Sequence, residues 1–402
     1  MNRQKAVVSA LLFSLFGLFS VSASAEVKPP TFRAETIDSK VVIGYGTAIG
    51  DVDGDGKPDI LLADKKQFVW YKNPDWTRHI IAENLTARDN VCIAARDIDG
   101  DGKVEIAVGG QWNPGDTVNS GSVHYLIPPN DRTKMWTPVK LHHEPVVHRM
   151  RWLKLGEKQF ALVVAPLHGR GNKGGQGAGA KLLAYHVPND VRAEWRTQLL
   201  DDKFHVTHNF DPGQWNPSSE AEEILYLGRE GAALIEFEND KWTRRPFKDV
   251  QGGGEIRMGI LSKSAQFIAT IEPFHGSSLV FYRSAVNRGS ANGKITEIAE
   301  RIVLDANFVQ GHAIATGDLL GSGSQQIVAG WRNPNRAGKV GVKLYYPTDA
   351  EAKKWDSVVV DDNKMACEDL RIGDLNGDGR PDIVAAGRAT HNLKIYWNLG
   401  SE

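Results

Sequence analysis

Short runs of apolar residues alternate with polar turns along the chain, and no long stretch carries the spacing of an amphipathic helix. Ile60–Ala63 and Phe68–Lys72 are almost continuously apolar, which is typical of strands buried on both faces. Thr77–Ala82 mixes polar and apolar residues, as a half-exposed strand does. The pattern therefore predicts an all-β chain.

Groups of these strands recur at a nearly constant interval. In the first group a strand at Gly46–Gly50 leads into an aspartate-rich turn, and Tyr45 lies six positions before that turn. The equivalent position can be followed at intervals of 46 to 57 residues, as Tyr45, Val91, His148, His205, Glu255, His312 and Glu368. The interval predicts seven repeated units of four strands each.

The seventh unit runs out of sequence after Trp397, before a fourth strand can form. At the other end of the chain, Thr31–Ile37 is similar to the fourth strands of the other units. Pairing the two ends would close a ring and remove an open sheet edge. The sequence thus predicts a seven-bladed β-propeller of four-stranded antiparallel blades over residues 26–402, closed by the N-terminal strand. An open solenoid is the alternative.

The aspartate-rich turns occur three times, with oxygen-bearing side chains at positions 1, 3, 5 and 9 and glycines between them. They comprise Asp51, Asp53, Asp55 and Asp59; Asp97, Asp99, Asp101 and Glu105; and Asp374, Asn376, Asp378 and Asp382. Oxygen ligands on a tightly folded loop are what Ca²⁺ prefers, so calcium is expected here. The turns are not EF-hands, because Leu62 stands where a carboxylate is needed. They resemble the calcium loops of FG-GAP repeats, the blades of integrin-type propellers.

The N-terminal residues suggest export. Arg3 and Lys5 precede an apolar run from Ala6 to Phe19, and Ala23-Ser24-Ala25 forms a cleavage site for a signal peptide over residues 1–25. The expectation is a secreted or periplasmic protein, with no stable membrane insertion after cleavage. An uncleaved anchor is the alternative, although the run is short for a bilayer span.

Composition excludes several classes of partner. The formal net charge is −1, and −3 without Arg3 and Lys5, which does not favour nucleic acid or an anionic membrane surface. Two cysteines, Cys92 and Cys367, are too few for a disulfide framework and are expected to be buried thiols.

The first strand of each propeller blade lines the central channel, so the equivalent positions should meet in one funnel. His148, His205 and His312 would then lie near Tyr45, Glu255 and Glu368. We expect these six residues to be catalytic, and the three histidines to be ligands for zinc or another divalent metal. Ordinary hydrogen-bonded channel residues are the alternative interpretation.

Turns after the second strands should surround the same mouth. Their aromatic, imidazole and guanidinium groups would suit a carbohydrate, whose ring stacks and whose hydroxyls need directed hydrogen bonds. The predicted binding residues are Trp112, His168, Arg170, His275, Trp331, Arg332 and Arg388.

A metal ion in the funnel could polarise a sugar carbonyl or carboxylate, and a histidine or Tyr45 could remove the neighbouring proton. This chemistry predicts a lyase or dehydratase that acts by β-elimination on a uronate or keto-sugar. The histidine-rich funnel is similar to the propeller domains of aldos-2-ulose dehydratase and of some polysaccharide lyases, which implies acid–base roles for His148, His205, His312 and Tyr45. The competing hypothesis is a non-catalytic FG-GAP propeller that binds a carbohydrate or protein ligand.

Overall fold

The computed structural model describes residues 27–216, 219–238, 241–262, 265–286 and 295–401, which form 28 strands and no helix. The predicted signal peptide lies outside these residues. Within them, no helix has the length and apolarity needed to span a membrane.

The strands form seven antiparallel four-stranded sheets. After β1 (Phe32–Asp38), the first three sheets contain β2 (Gly46–Gly50), β3 (Asp59–Ala63), β4 (Gln67–Lys72) and β5 (Thr77–Glu83); β6 (Cys92–Arg96), β7 (Glu105–Gly110), β8 (Ser122–Ile127) and β9 (Thr137–Leu141); and β10 (Val147–Gly156), β11 (Gln159–Pro166), β12 (Leu182–His186) and β13 (Arg196–Asp201).

The next three sheets follow the same order. They contain β14 (Thr207–Gly213), β15 (Glu223–Gly228), β16 (Gly231–Glu238) and β17 (Lys241–Phe247); β18 (Glu255–Ser262), β19 (Ala265–Glu272), β20 (Ser278–Val286) and β21 (Ile295–Asp305); and β22 (Gly311–Gly317), β23 (Gln326–Trp331), β24 (Gly341–Pro347) and β25 (Trp355–Asp362). The last sheet contains β26 (Cys367–Gly373), β27 (Asp382–Gly387) and β28 (Asn392–Asn398) together with β1.

The two ends of the chain meet in the seventh blade, as predicted. Strand β1 pairs antiparallel with β28 from Phe32 opposite Asn398 to Asp38 opposite Leu393. Thr31 and Gly400 extend the contact, since the Thr31 N–H donates to the Gly400 carbonyl at 3.1 Å. The predicted seven-bladed propeller and its closure by the N-terminal strand are therefore confirmed.

The hydrophobic core lies between neighbouring blades. Leu61, Phe68 and Trp70 of the first blade pack with Ile93 and Ile106 of the second, and all five side chains are almost completely buried. The aliphatic second strands and aromatic third strands place large side chains on both faces of each sheet, where the next blade covers them. Free Cys92 and Cys367 are buried, as expected.

Candidate functional site

The first strand of each blade lies innermost, because β2, β6, β10, β14, β18, β22 and β26 contact one another around the ring. In four blades this strand carries a β-bulge close to its start. The pairing shifts by one residue at His148 in β10, at His208 and Asn209 in β14, at His312 in β22 and at Glu368 in β26. A bulge adds one residue to a strand and so changes the direction of a side chain that would otherwise follow the regular alternation. In these four strands the bulges all lie at the channel entrance.

Three histidines converge at this entrance. One ring nitrogen each from His208, His275 and His312 lies within 4.8 Å of the others. The ring centroids are 4.5 Å apart for His208 and His275, and 4.8 Å apart for His208 and His312. Three imidazoles from three blades could therefore hold one divalent ion.

Neighbouring groups orient two of these rings. Nδ1 of His312 donates to the Glu368 carbonyl at 2.6 Å, which leaves Nε2 as the ring atom with a lone pair. Nδ1 of His208 lies 2.7 Å from Oε1 of Glu255, a close contact without hydrogen-bond geometry, and neither ring nitrogen has a hydrogen-bond partner among the described residues. A carbonyl or carboxylate behind an imidazole is the arrangement that fixes metal-ligating histidines.

Burial keeps the cluster neutral. His208 is 1% exposed and His312 is 3% exposed. Burial lowers the pKa of both rings well below the usual range, and nearby Arg332 lowers the pKa of His312 further. Burial also lowers the pKa of His275 to about 2. Neutral imidazole is the form that binds metals.

His148 lies at the side of this trio. Its ring stacks on Trp112 at 4.9 Å and meets the His208 ring edge-on at 4.3 Å. Neither ring nitrogen of His148 has a hydrogen-bond partner among the described residues, and burial lowers its pKa. His148 is thus a buried neutral base without a partner in the described structure.

Glu368 forms the other side of the entrance. Arg332 binds both of its carboxylate oxygens, at 3.0 and 2.9 Å, and Arg388 binds Oε1 at 3.0 Å. The Arg388 guanidinium also lies over the ring of Tyr45, 5.4 Å from its centroid. The Tyr45 hydroxyl donates to Asp89 at 3.2 Å, and burial raises its pKa. The two predicted arginines therefore hold the predicted carboxylate in place.

His205 is a correction to the sequence-based alignment. It precedes β14, its side chain is 40% exposed, and its Nδ1 contacts Glu230 at 2.8 Å. The turn of this blade begins at Gln214, because Trp215 N–H donates to Glu223 just as Val52 N–H donates to Asp59 in the first blade. Six residues before Gln214 is His208. Counting six positions from His205 puts the start of the turn at Asp211, but Asp211 lies inside β14.

The residues predicted to bind carbohydrate around the channel mouth lie in several different places in the structure. His275 belongs to the histidine cluster, whereas Trp331 is 4% exposed and stacks on Phe308 at 5.2 Å in the core between blades. Arg170 lies outside the cluster and pairs with Glu144 at 3.4 Å. His168, half buried, forms a backbone bridge with Val206. The prediction that Trp331 stacks on a sugar ring at the mouth therefore does not fit its buried position.

The three aspartate-rich turns have the folded form that an ion-binding loop needs. Asp51 accepts from the Gly54 and Gly56 N–H groups at 2.7 and 2.8 Å, and both glycines have positive φ. Asp97 and Asp374 make the same pair of contacts. Carboxylate oxygens of Asp51, Asp53 and Asp59 lie within 4.8 Å of one another, as do those of Asp97, Asp99 and Asp101.

Calcium binding at these turns remains a prediction. Its effect on the stability of the protein should depend on pH. Burial raises the pKa of Asp59 and of Glu105 to about 7, so between about pH 4 and 7 the folded protein holds protons that the unfolded chain releases. Without calcium, stability should therefore fall as pH rises through that range. We expect excess chelator to lower the melting temperature more at about pH 8 than at about pH 5.

A matched pair of variants tests this assignment. Asp59→Asn should reduce the calcium-dependent rise in melting temperature. Asp318→Asn should not, because Gln326 replaces the acidic ninth residue in that turn and already accepts from Leu319 N–H at 2.7 Å. Equal melting curves with calcium and with chelator at both pH values would contradict calcium binding.

Comparisons with known proteins agree with the propeller and its two resemblances. Residues 51–108 match the FG-GAP-like repeat family, and residues 120–285 match the family "Aldos-2-ulose dehydratase, beta-propeller domain". The aldos-2-ulose dehydratase of Phanerodontia chrysosporium is 21% identical over 362 residues, covering 82% of this chain. The chain spans 38% of the length of that relative.

Solved structures share the fold. A chain of the mitotic checkpoint complex superposes with a TM-score of 0.55 at 10% identity, covering 98% of this chain and 99% of that one. BBS1N, from its complex with ARL6DN, superposes with a TM-score of 0.55 at 11% identity. The match covers 93% of this chain and 97% of that one. At these identities the likeness establishes architecture alone.

Proposed function

We propose that this protein is a carbohydrate dehydratase or lyase that uses a divalent metal at the histidine cluster and acts by β-elimination on a keto-sugar or uronate. The observation that carries the proposal is the convergence of His208, His275 and His312 beside the unpartnered His148. The match to the aldos-2-ulose dehydratase propeller family supports the substrate class. Export to the periplasm or medium is part of the same proposal.

The donor set fits zinc or a similar ion. His312 would bind through Nε2, because its Nδ1 donates to the Glu368 carbonyl, and His208 would also bind through Nε2, because Glu255 lies beside its Nδ1. His275 would supply its Nε2, which has no hydrogen-bond partner among the described residues. A divalent ion held by three imidazoles would polarise the substrate carbonyl oxygen and so acidify the adjacent C–H group.

The surrounding residues would move the protons. His148 is neutral and can accept the proton from carbon, which leaves the electron pair to form the C=C bond as the β C–O bond breaks. Burial raises the pKa of Tyr45, so its hydroxyl stays protonated and is unsuited to be the base; as a weak acid it would give its proton only to a strongly basic departing alkoxide. Trp112 would hold the base by stacking.

One observation favours the competing function, a non-catalytic binding module. His148, His208 and His312 are 5%, 1% and 3% exposed, so a substrate reaches them only after groups at the entrance move. In a module of that kind the cluster would hold a structural ion or simply pack.

Product formation distinguishes the two functions. The protein, loaded with zinc or another divalent ion, is incubated with an aldos-2-ulose and with uronate polymers, and unsaturated products are followed by ultraviolet absorbance. We expect a product from wild type and a loss of about 10²- to 10⁴-fold in rate for His148→Ala, as for removal of a general base. His186→Ala is the control and should keep full activity, since His186 is the last residue of β12 and its ring contacts Gln198 of β13 at 3.1 Å. Wild type that forms no product with any metal would favour the binding module.

A further inference from the structure

A cavity lies further along the channel than the histidine cluster, at the end where the aspartate-rich turns begin. Its volume is about 300 Å³, and it is lined by Thr47, Ile49, Ala95, Arg96, Arg151 and Arg371. Arg96 immediately precedes Asp97, and Ile49 lies two residues before Asp51. The cavity is therefore separate from the histidine cluster, which lies at the start of the same strands.

Guanidinium groups outnumber their carboxylate partners around this part of the channel. The innermost strands contribute five arginines, Arg96, Arg149, Arg151, Arg257 and Arg371. The carboxylates in contact with them are Asp211, Glu222, Glu255 and Asp369.

The carboxylates are already engaged. Asp369 binds Arg371 at 2.9 Å, and it also accepts from Thr47 N–H at 2.8 Å. Asp211 lies 3.8 Å from Arg257. Glu255 binds His208 and the amide of Asn209. The direct contacts of these carboxylates are therefore with groups other than Arg149 and Arg151, and Asp369 attracts those two guanidinium groups only over a longer distance.

Arg151, which lines the cavity, lacks a complete set of hydrogen-bond partners. Its Nη1 donates to the carbonyl of Met150 at 2.7 Å, while its Nη2 has no hydrogen-bond partner among the described residues. Nor does any described carboxylate lie within 4 Å of Arg151 or Arg149. Burial and the neighbouring Arg371 and Arg257 lower the pKa of Arg151, which reflects an excess of positive charge around it.

A guanidinium stays protonated in proteins, and Arg151 is half-buried with its Nη2 shielded from solvent, so an accompanying anion would stabilise it. Arginine also binds oxyanions through paired N–H groups, and the Thr47 side chain lies on the same wall. We propose that this cavity is a binding site for a small oxyanion of the size and charge of phosphate or sulfate, held chiefly by Arg151 with Arg371 beside it. The site is independent of the proposed elimination chemistry, because none of its residues contacts the cluster ring nitrogens.

Calorimetric titration with inorganic phosphate, and then with sulfate, at constant ionic strength tests the site. We expect saturable binding to wild type with one ion per chain. Arg151→Gln should weaken the affinity at least ten-fold. The matched control is Arg192→Gln, the same change at an exposed arginine outside the channel, which should bind as wild type does.

A third variant separates loss of charge from loss of folding. Ala95→Leu keeps every arginine but fills the cavity that Ala95 lines, and it should also weaken binding at least ten-fold. The proposal is overturned if wild type shows no saturable binding of either ion, or if either folded variant binds as tightly as wild type. Melting curves recorded without added oxyanion establish that each variant is folded.

Discussion

Replacing His208 with alanine should abolish binding of a transition-metal ion and any elimination activity. The ring lies at the centre of the cluster, 4.5 Å from His275 and 4.8 Å from His312, and its Nδ1 is 2.7 Å from Glu255. Removing one of three imidazole ligands leaves too few donors for a stable site. We expect one equivalent of zinc or a similar ion per chain in wild type by elemental analysis, and less than a tenth of that in His208→Ala.

The neighbouring His205 provides a close control for this experiment. It lies three residues earlier in the same blade, at the edge of the propeller, and contacts Glu230 and not the cluster. His205→Ala should retain both metal and activity.

A positioning role for Glu255 is tested by Glu255→Gln, which should lower metal affinity about 10- to 100-fold while the fold persists. If wild type binds no transition metal, or His208→Ala binds a full equivalent, the assignment of this cluster as a metal site is wrong.

A chain shortened to begin at Val41 should lose most of its soluble, folded form. The truncation removes β1, which pairs with β28 along its length, and so exposes the edge of the last blade. Phe32 also packs against the core between the sixth and seventh blades, and Glu35 accepts from the Trp397 indole at 2.8 Å. We expect recovery in the soluble fraction to fall at least ten-fold, with the remainder aggregated.

A chain that begins at Pro30 is the matched control, because it retains β1 and the contacts of Thr31 with Leu399 and Gly400. Its melting temperature and solubility should equal those of a chain beginning at Val27. Comparable stability of the chain that begins at Val41 would show that closure by β1 contributes little. Size-exclusion chromatography and thermal melting measure both quantities.

The propeller was predictable because its signals are local and repeated. Each blade carries the same order of strands, and the three aspartate-rich turns mark the same point in three of them. The alternation within Thr31–Ile37 and the missing strand after Trp397 were enough to predict how the ring closes. Such features depend on the residues of one short segment, so they can be recognised before the fold is known.

The site was predicted only in part. His148, His312, Glu255 and Glu368 were placed at the channel entrance from their equivalent positions, and the structure brings them together. His208 was missed because the turn of its blade has lost its aspartates, and Asp211 gave a false start for the count. The signal that could have found it is Glu223, the tenth residue of a turn that is one residue longer, which makes the contact to the turn backbone that Asp59 makes in the first blade.

The sequence by itself determined the seven repeated blades, the closing strand and the concentration of histidines and acids near the first strands. Only the tertiary structure decided which of these side chains meet. Each bulge shifts one residue out of the alternation, and bulges depend on how two strands pair rather than on either strand alone. The positions of His275 in the cluster and of Trp331 in the core also depend on tertiary contacts. The packing of adjacent blades sets the direction in which a turn side chain points.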